Sequence, residues 1–222
     1  MSAGAPVLTL TLNPAVDLST RTAKVEPTHK LRCTLPQVHP GGGGINVARV
    51  IARLGGAVTA VYPAGGPTGE RLGRLLDEEG VPRMAVPIAG ETRESFSVVE
   101  EEGGRGEYRF VLPGPALSPP EWEACLQRTV AAARGCSHVV ASGSLPPGVP
   151  QDGYARLARA LAPLHVPLVL DTSGPALAAA LEAGVHLFKP SLRELQELTG
   201  AVLRVDRERV RACRALVARG QA

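Results

Sequence analysis

The stretch His138–Lys189, HVVASGSLPPGVPQDGYARLARALAPLHVPLVLDTSGPALAAALEAGVHLFK, decides the fold class. Short apolar runs at His138–Ser142, Pro167–Asp171 and His186–Lys189 alternate with helix-period segments at Gln151–Ala162 and Pro175–Ala183, and a further helix is predicted over Leu192–Leu198. Apolar strands alternating with helices specify an α/β fold, a parallel sheet with helices on both faces. Ligands of such sheets sit at the carboxyl ends of the strands. Here those ends carry Ser142-Gly143-Ser144, Asp171-Thr172-Ser173 and Lys189-Pro190-Ser191, so polar and charged residues gather on one edge.

Towards the N-terminus the same rhythm holds. Val7–Leu12 alternates apolar and polar residues and reads as a strand ending at the Asn13-Pro14 turn, which puts Asn13–Asp17 on the same edge. Residues 17–39 are polar, with one strand predicted at Leu31–Val38. Gly41–Gly44 then lead into a helix whose Val47, Val50, Ile51 and Leu54 share a face, closed by Gly55-Gly56. A strand at Ala57–Tyr62, a helix at Thr68–Glu79 and a strand at Val81–Pro87 follow. Ser95–Glu100 and Glu107–Leu112 break the pattern as a β-hairpin turning at Gly103–Gly106. With the 31–38 strand, this hairpin is expected to form a small sheet standing off the body, a lid over a site or a surface for a partner subunit. The lid segments, about 17–40 and 89–112, belong to a single domain spanning 1–222. After Pro119-Pro120 come a helix at Glu121–Arg134 and the run already quoted. A last amphipathic helix, Arg207–Arg219, normally crosses to another parallel strand, so further C-terminal strands and helices are expected and absent.

Composition narrows the function classes. The 222 residues are 44% hydrophobic and 3% aromatic, with 25 glycines and 20 prolines, which suits a core of Ala, Val and Leu joined by tight turns. The net charge of +3 is dispersed, unlike the basic face that neutralises nucleic-acid phosphates, so no nucleic-acid partner is expected. No run reaches the roughly 20 apolar residues of a membrane span, and Met1–Pro6 lacks a secretory leader pattern, so a cytoplasmic protein without a membrane partner is expected. Cys33, Cys125, Cys136 and Cys213 are too scattered for a zinc site or a disulfide framework. Lysine occurs only at Lys24, Lys30 and Lys189 against a background of arginines, which draws attention to places where a flexible point charge is retained.

Gly41-Gly42-Gly43-Gly44-Ile45-Asn46-Val47-Ala48 sets glycines directly before a helix N-terminus, where a polyol or an anion can approach outward-pointing N–H groups; the same pattern suits a flexible loop equally. The dinucleotide fingerprint and the P-loop are both missing. Asp17, at a strand end, can accept hydrogen bonds from sugar hydroxyls, although an isolated Asp there is more often a turn or cap residue. Lys30 and Arg93 can hold a phosphate, or simply be solvated.

In this order and spacing, Asn13-Pro14-Ala15-Val16-Asp17, Lys30-Leu31-Arg32-Cys33, Gly41–Arg49, Ser142-Gly143-Ser144-Leu145-Pro146-Pro147-Gly148 and Leu170-Asp171-Thr172-Ser173-Gly174 resemble the phosphofructokinase B family of the ribokinase superfamily. The resemblance covers nearly the whole chain from Val7. It implies a ribokinase-like fold and an ATP-dependent, Mg²⁺-requiring kinase acting on a sugar phosphate, with fructose 6-phosphate favoured over fructose 1-phosphate and tagatose 6-phosphate. By similarity Asp17, Gly42, Gly43 and Asn46 hold sugar hydroxyls. Arg93, Lys30 and Ser144, with Ser142 in the same motif, face the existing or the transferring phosphate, and the lid makes a homodimer contact. Lys189-Pro190-Ser191-Leu192-Arg193-Glu194 is similar to the family's Lys-Pro-Asn-x-x-Glu, implying nucleotide contacts from Lys189 and Ser191 and a water-mediated metal contact from Glu194. Ser191 departs from the family's Asn. The family's Gly-Ala-Gly-Asp, which carries the catalytic base and anion-binding amides, is not reproduced anywhere in the 222 residues. A non-catalytic sugar-phosphate binder is therefore the competing expectation, and a dinucleotide binder is a third that would predict NADH binding.

Overall fold

The computed structural model describes residues 4–102 and 106–221. Three of the four residues assigned to the hairpin turn at 103–106 thus lie outside the described residues. Six parallel strands form the main sheet: β1 (Val7–Leu10), β4 (Val58–Ala64), β5 (Arg83–Pro87), β8 (His138–Ser142), β9 (Leu168–Asp171) and β10 (Leu187–Phe188). Their order is β10-β9-β8-β1-β4-β5. The chain therefore starts in the middle, winds one way through β4 and β5, then returns to the other side of β1. The gap between β1 and β8 is the switch point, where the loops leaving the two strands part and open a crevice at the carboxyl edge.

Alternation along the strands divides the core into two faces. Val58, Ala60 and Tyr62 of β4 pack with Ile45 and Ala48 of α1 (Gly43–Arg53) and Leu72 and Leu76 of α2 (Gly66–Glu78). Leu8, Leu10, Val61, Val139 and Ala141 face the other way, onto Trp122 and Cys125 of α3 (Pro119–Ala132), Tyr154 and Leu157 of α4 (Gly153–Leu161) and Leu177 and Leu181 of α5 (Gly174–Ala183). Burial of each such leucine contributes about 1.5–3 kcal/mol. Helices α6 (Leu192–Thr199) and α7 (Asp206–Ala218) close a small third cluster around Leu195, Leu203 and Leu216. No described helix is long and apolar enough to cross a membrane.

A second sheet stands beside the first, in the order β3-β2-β6-β7. It is made of β2 (Ala15–Thr22), β3 (Gln37–Gly41), β6 (Arg93–Glu100) and β7 (Glu107–Val111). Here the sequence reading needs correction. The strand expected at Leu31–Val38 lies instead at Gln37–Gly41, and Ala15–Thr22, read mostly as polar loop, is an inner strand with β3 antiparallel and β6 parallel to it. Its partners are remote in sequence, so only the assembled sheet selects its register. The glycine run also divides differently: Gly41 ends β3, Gly42 turns the chain with φ 111°, and Gly43-Gly44 already belong to α1. Close packing requires these glycines. A Cβ on Gly41 would overlap the Asp17 carboxylate, and one on Gly43 would overlap the Ser142 hydroxyl.

Candidate functional site

The register of the second sheet sets Asp17 opposite both His39 and Ser95, Ser19 opposite Ser97, and Ser97 opposite Arg109. All project from one face. With Gly42 and Asn46 at the start of α1 they line a cavity of about 370 Å³. The sheet and the body thus meet in a polar pocket beside the switch point.

Burial of the Asp17 carboxyl lifts it above the ordinary carboxylate range, an effect only partly countered by the positive charges of Arg93, Arg49, His39 and Arg109. Arg93 sits beside it. Its Nη1 donates to Ser95 Oγ (3.1 Å) and the Leu112 carbonyl (3.0 Å), and its Nη2 to the Asn13 carbonyl (3.0 Å). The Arg93 Nε–H is buried with no hydrogen-bond partner in the protein. Burial holds this guanidinium below its ordinary value, against the pull of Asp17. Arg109, paired with Glu107 at 2.9 Å, lies on the same wall.

The body supplies the other rim. The buried Thr11 hydroxyl, just past β1, accepts a hydrogen bond from Ile45 N (2.8 Å) and so caps α1 in place of the side chain that Gly42 lacks. Asn13 Nδ2 donates to Ser144 Oγ (3.1 Å), bridging the loops after β1 and β8. Ser142 is buried and donates to Asp171 Oδ2 at 3.1 Å, while the buried Tyr154 hydroxyl donates to the Gly143 carbonyl at 3.0 Å and fixes the turn from below.

Of the residues expected from the sequence, the pocket brings together Asp17, Gly42, Asn46 and Arg93. Gly43 adjoins it, against Ser142, and Ser144 borders the neighbouring crevice. Lys30 is exposed in the loop joining β2 to β3 and does not line the pocket. Lys189, Ser191 and Glu194 stand at the end of β10, apart from it. There Ser191 N donates to Glu194 Oε2 (2.7 Å) and Glu194 N to Ser191 Oγ (3.3 Å), a reciprocal cap on α6. The serine found in place of the family's asparagine thus has a structural task.

Sequence reasoning missed Thr11, His39, Arg49, Ser95, Glu107 and Arg109. The alternation of β7 already placed Glu107 and Arg109 on one face, but it could not say which face met Asp17. His39 was lost with the misplaced strand.

Comparison with known proteins agrees with this geometry. Residues 6–222 match the family described as pfkB family carbohydrate kinase. The chain is 50% identical over 216 residues to the ATP-dependent 6-phosphofructokinase isozyme 2 of Mycobacterium tuberculosis, covering 97% of this chain and 63% of that relative. It is 43% identical over 217 residues to the Escherichia coli enzyme of the same name, covering 97% of this chain and 70% of that one. The crystal structure of E. coli phosphofructokinase-2 in complex with fructose-6-phosphate superimposes with a TM-score of 0.93 at 42% identity, over 98% of this chain and 72% of that one. By its match along almost its whole length, the chain belongs to the pfkB family of carbohydrate kinases.

Proposed function

We propose that the pocket between the second sheet and α1 holds a sugar phosphate, fructose 6-phosphate first among candidates, as acceptor of a phosphoryl group from ATP. The observation that carries this is the Asp17–Arg93 pair. A half-buried carboxylate able to accept from sugar hydroxyls lines the same pocket as a guanidinium able to donate to an anion, so the wall suits both hydroxyl and phosphate. Similarity to the E. coli protein solved with fructose-6-phosphate favours the same acceptor.

In this reading Asp17 and Asn46, with the backbone at Gly42 and Gly43, orient the ring hydroxyls, and Arg93 faces the phosphate. Ser144, at the switch-point crevice, and the buried Ser142 that shapes it stand towards the group being transferred. Lys30 reaches a phosphate only if its loop folds inward or a second copy presents it. Closure of the second sheet would exclude water from the reacting groups. Its exposed, stacked Phe96–Phe110 pair, with ring centroids 4.6 Å apart, is the surface proposed for a homodimer.

The nucleotide end rests on the exposed Lys189 and Ser191 at the tip of β10, with Glu194 behind them. Among the described residues no cluster of three His, Cys, Asp or Glu side chains could hold a metal. An Mg²⁺ carried by substrate phosphates and water needs only one such carboxylate, and Glu194 keeps Oε1 free of the cap, so the donor set fits. ATP supplies the phosphoryl group and Mg²⁺ neutralises its charge.

The test is a calorimetric titration of this chain with fructose 6-phosphate, with fructose 1-phosphate and tagatose 6-phosphate as competitors, followed by a coupled ADP-release assay. Saturable binding of fructose 6-phosphate, lost in Asp17→Asn, supports the acceptor assignment. Tighter binding of a competitor reassigns the acceptor, and absence of binding to all three overturns the pocket's role. Binding without ADP release favours the non-catalytic binder, and ADP release shows that the groups present suffice for transfer.

A further inference from the structure

Arg49 is partly buried at the junction of the two sheets, and the sugar-binding reading gives it no task. Its Nε and Nη2 donate to Glu79 Oε2 and Oε1 at 2.8 and 2.6 Å. Its Nη1 donates to the Pro40 carbonyl (3.0 Å) and to Asn46 Oδ1 (3.1 Å). One planar fork therefore joins three elements: the end of α2, the end of β3 and the first turns of α1. The side chains of Arg49 and Glu79 are 13% and 21% exposed, so the pair is largely shielded from competing water. Arg53 donates to the same carboxylate from the solvent side at 2.9 Å.

Arginine carries donors only, so the Asn46 atom facing it must be the oxygen. The Asn46 amide is thereby fixed in one of its two orientations, with Nδ2 left as the group that can donate to a ligand. The Pro40 contact acts on the same wall, because Pro40 lies between His39 and the Gly41–Gly42 approach to Asp17. Lysine cannot replace this arrangement: an ammonium lacks the fork that meets a carboxylate with two donors while a third nitrogen bonds elsewhere.

We propose that Arg49, locked by Glu79, is a positioning residue that presets the Asn46 amide and the end of β3 for the sugar acceptor. The positioning itself is a property of the free protein; only its effect on affinity rests on the acceptor assignment above.

The two asparagines of the chain, Asn13 and Asn46, make the test direct, since their side-chain amides are readily told apart by NMR. In Arg49→Lys the order parameter of the Asn46 amide should fall while that of Asn13 holds, with the backbone around α1 still folded. By calorimetry Arg49→Lys should weaken fructose 6-phosphate binding ~10-fold, the size of one hydrogen bond to a charged or polar group. Combined with Asn46→Ala it should lose less than the product of the two single losses, the remainder being the share carried by the Pro40 contact, since coupled residues are non-additive. Glu79→Gln, which keeps the shape of the pair, should move both readouts the same way by a smaller factor, and it decides the matter if Arg49→Lys fails to fold. An Asn46 amide as ordered in the variants as in the parent overturns the proposal, as do losses of affinity that multiply. If the parent binds no sugar phosphate, the acceptor assignment fails while the amide measurement still decides the role of Arg49.

Discussion

Burial holds the Asp17 carboxyl above its ordinary 3.8. The folded protein therefore keeps this proton more tightly than the unfolded chain does. The resulting stabilisation is complete below pH 3.8 and is lost as pH rises through the higher, folded value. At neutral pH the ionised group is a burden on folding, retained where it faces the pocket. Asp17→Asn is expected to melt above the parent at pH 7, with the difference shrinking as pH falls through the raised folded value and closed below pH 3.8, in a calorimetric series across pH. The same substitution should weaken sugar-phosphate binding by about 10- to 100-fold, the loss of a hydrogen bond to a charged group. Thr11 acts in the opposite sense, for stability alone. Thr11→Val removes the acceptor for Ile45 N and should cost about 1 kcal/mol in urea unfolding, typical of a lost helix cap.

At the scale of elements, α1 and α2 are held together by the Arg49–Glu79 fork. The guanidinium of Arg49, assisted by Arg53, holds the Glu79 carboxyl below its ordinary 4.5. Because the folded value is the lower one, this contribution is whole above pH 4.5 and fades as pH falls through the folded value. Glu79→Gln should therefore be less stable than the parent at pH 7, by about 1–3 kcal/mol for a partly buried charge that loses its ionised partner, and the gap should close in acid. Denaturant unfolding at two pH values checks both statements. The α6 cap offers a contrast. Asparagine caps helices as well as serine does, so Ser191→Asn should leave the melting temperature within about 1 °C of the parent. A change in nucleotide affinity in that variant would then report on the nucleotide contact alone.

For the whole molecule, the second sheet presents opposite characters on its two faces. Asp17, Ser19, Ser95, Ser97 and Arg109 project from one face into the pocket, while Phe96, Tyr108 and Phe110 project from the other, each at least 41% exposed, with Phe96 and Phe110 also reaching the pocket's edge. An apolar patch of this kind on a sheet standing off the body invites a second copy. Sedimentation velocity is expected to show a dimer of the parent chain. Phe110→Asp should shift it to monomer without lowering the melting of the monomeric unit, and a parent that remains monomeric at high concentration would sink the dimer assignment.

Much of this architecture was legible residue by residue. His138–Ser142 is an unbroken short apolar run and forms β8 with those bounds, and the apolar-strand and helix-period segments around it recur as β9, α4 and α5 with ends shifted by a residue or two. Local sterics and hydrophobic period determine such elements, because a strand buried on both faces is apolar whichever strands flank it. Asp17, the glycine run, Asn46 and Arg93 drew their expected roles from the family resemblance, because residue by residue the glycines suit a loop, Asp17 a turn or cap and Arg93 solvation. The sequence alone thus determined the α/β class, the carboxyl edge that bears the pocket and the family resemblance. Tertiary structure alone decided that Ala15–Thr22 is an inner strand of the second sheet, that β3 begins at Gln37 rather than Leu31, and that Arg49 touches Asn46 while Lys30 stays outside the pocket. Strand β2 alternates Val16 and Leu18, which pack with the core, with the polar Asp17 and Ser19, so its own composition reads as loop. Only pairing with segments up to some eighty residues away fixes its register, because the hydrogen bonds and burial that select it do not exist until the sheet has assembled.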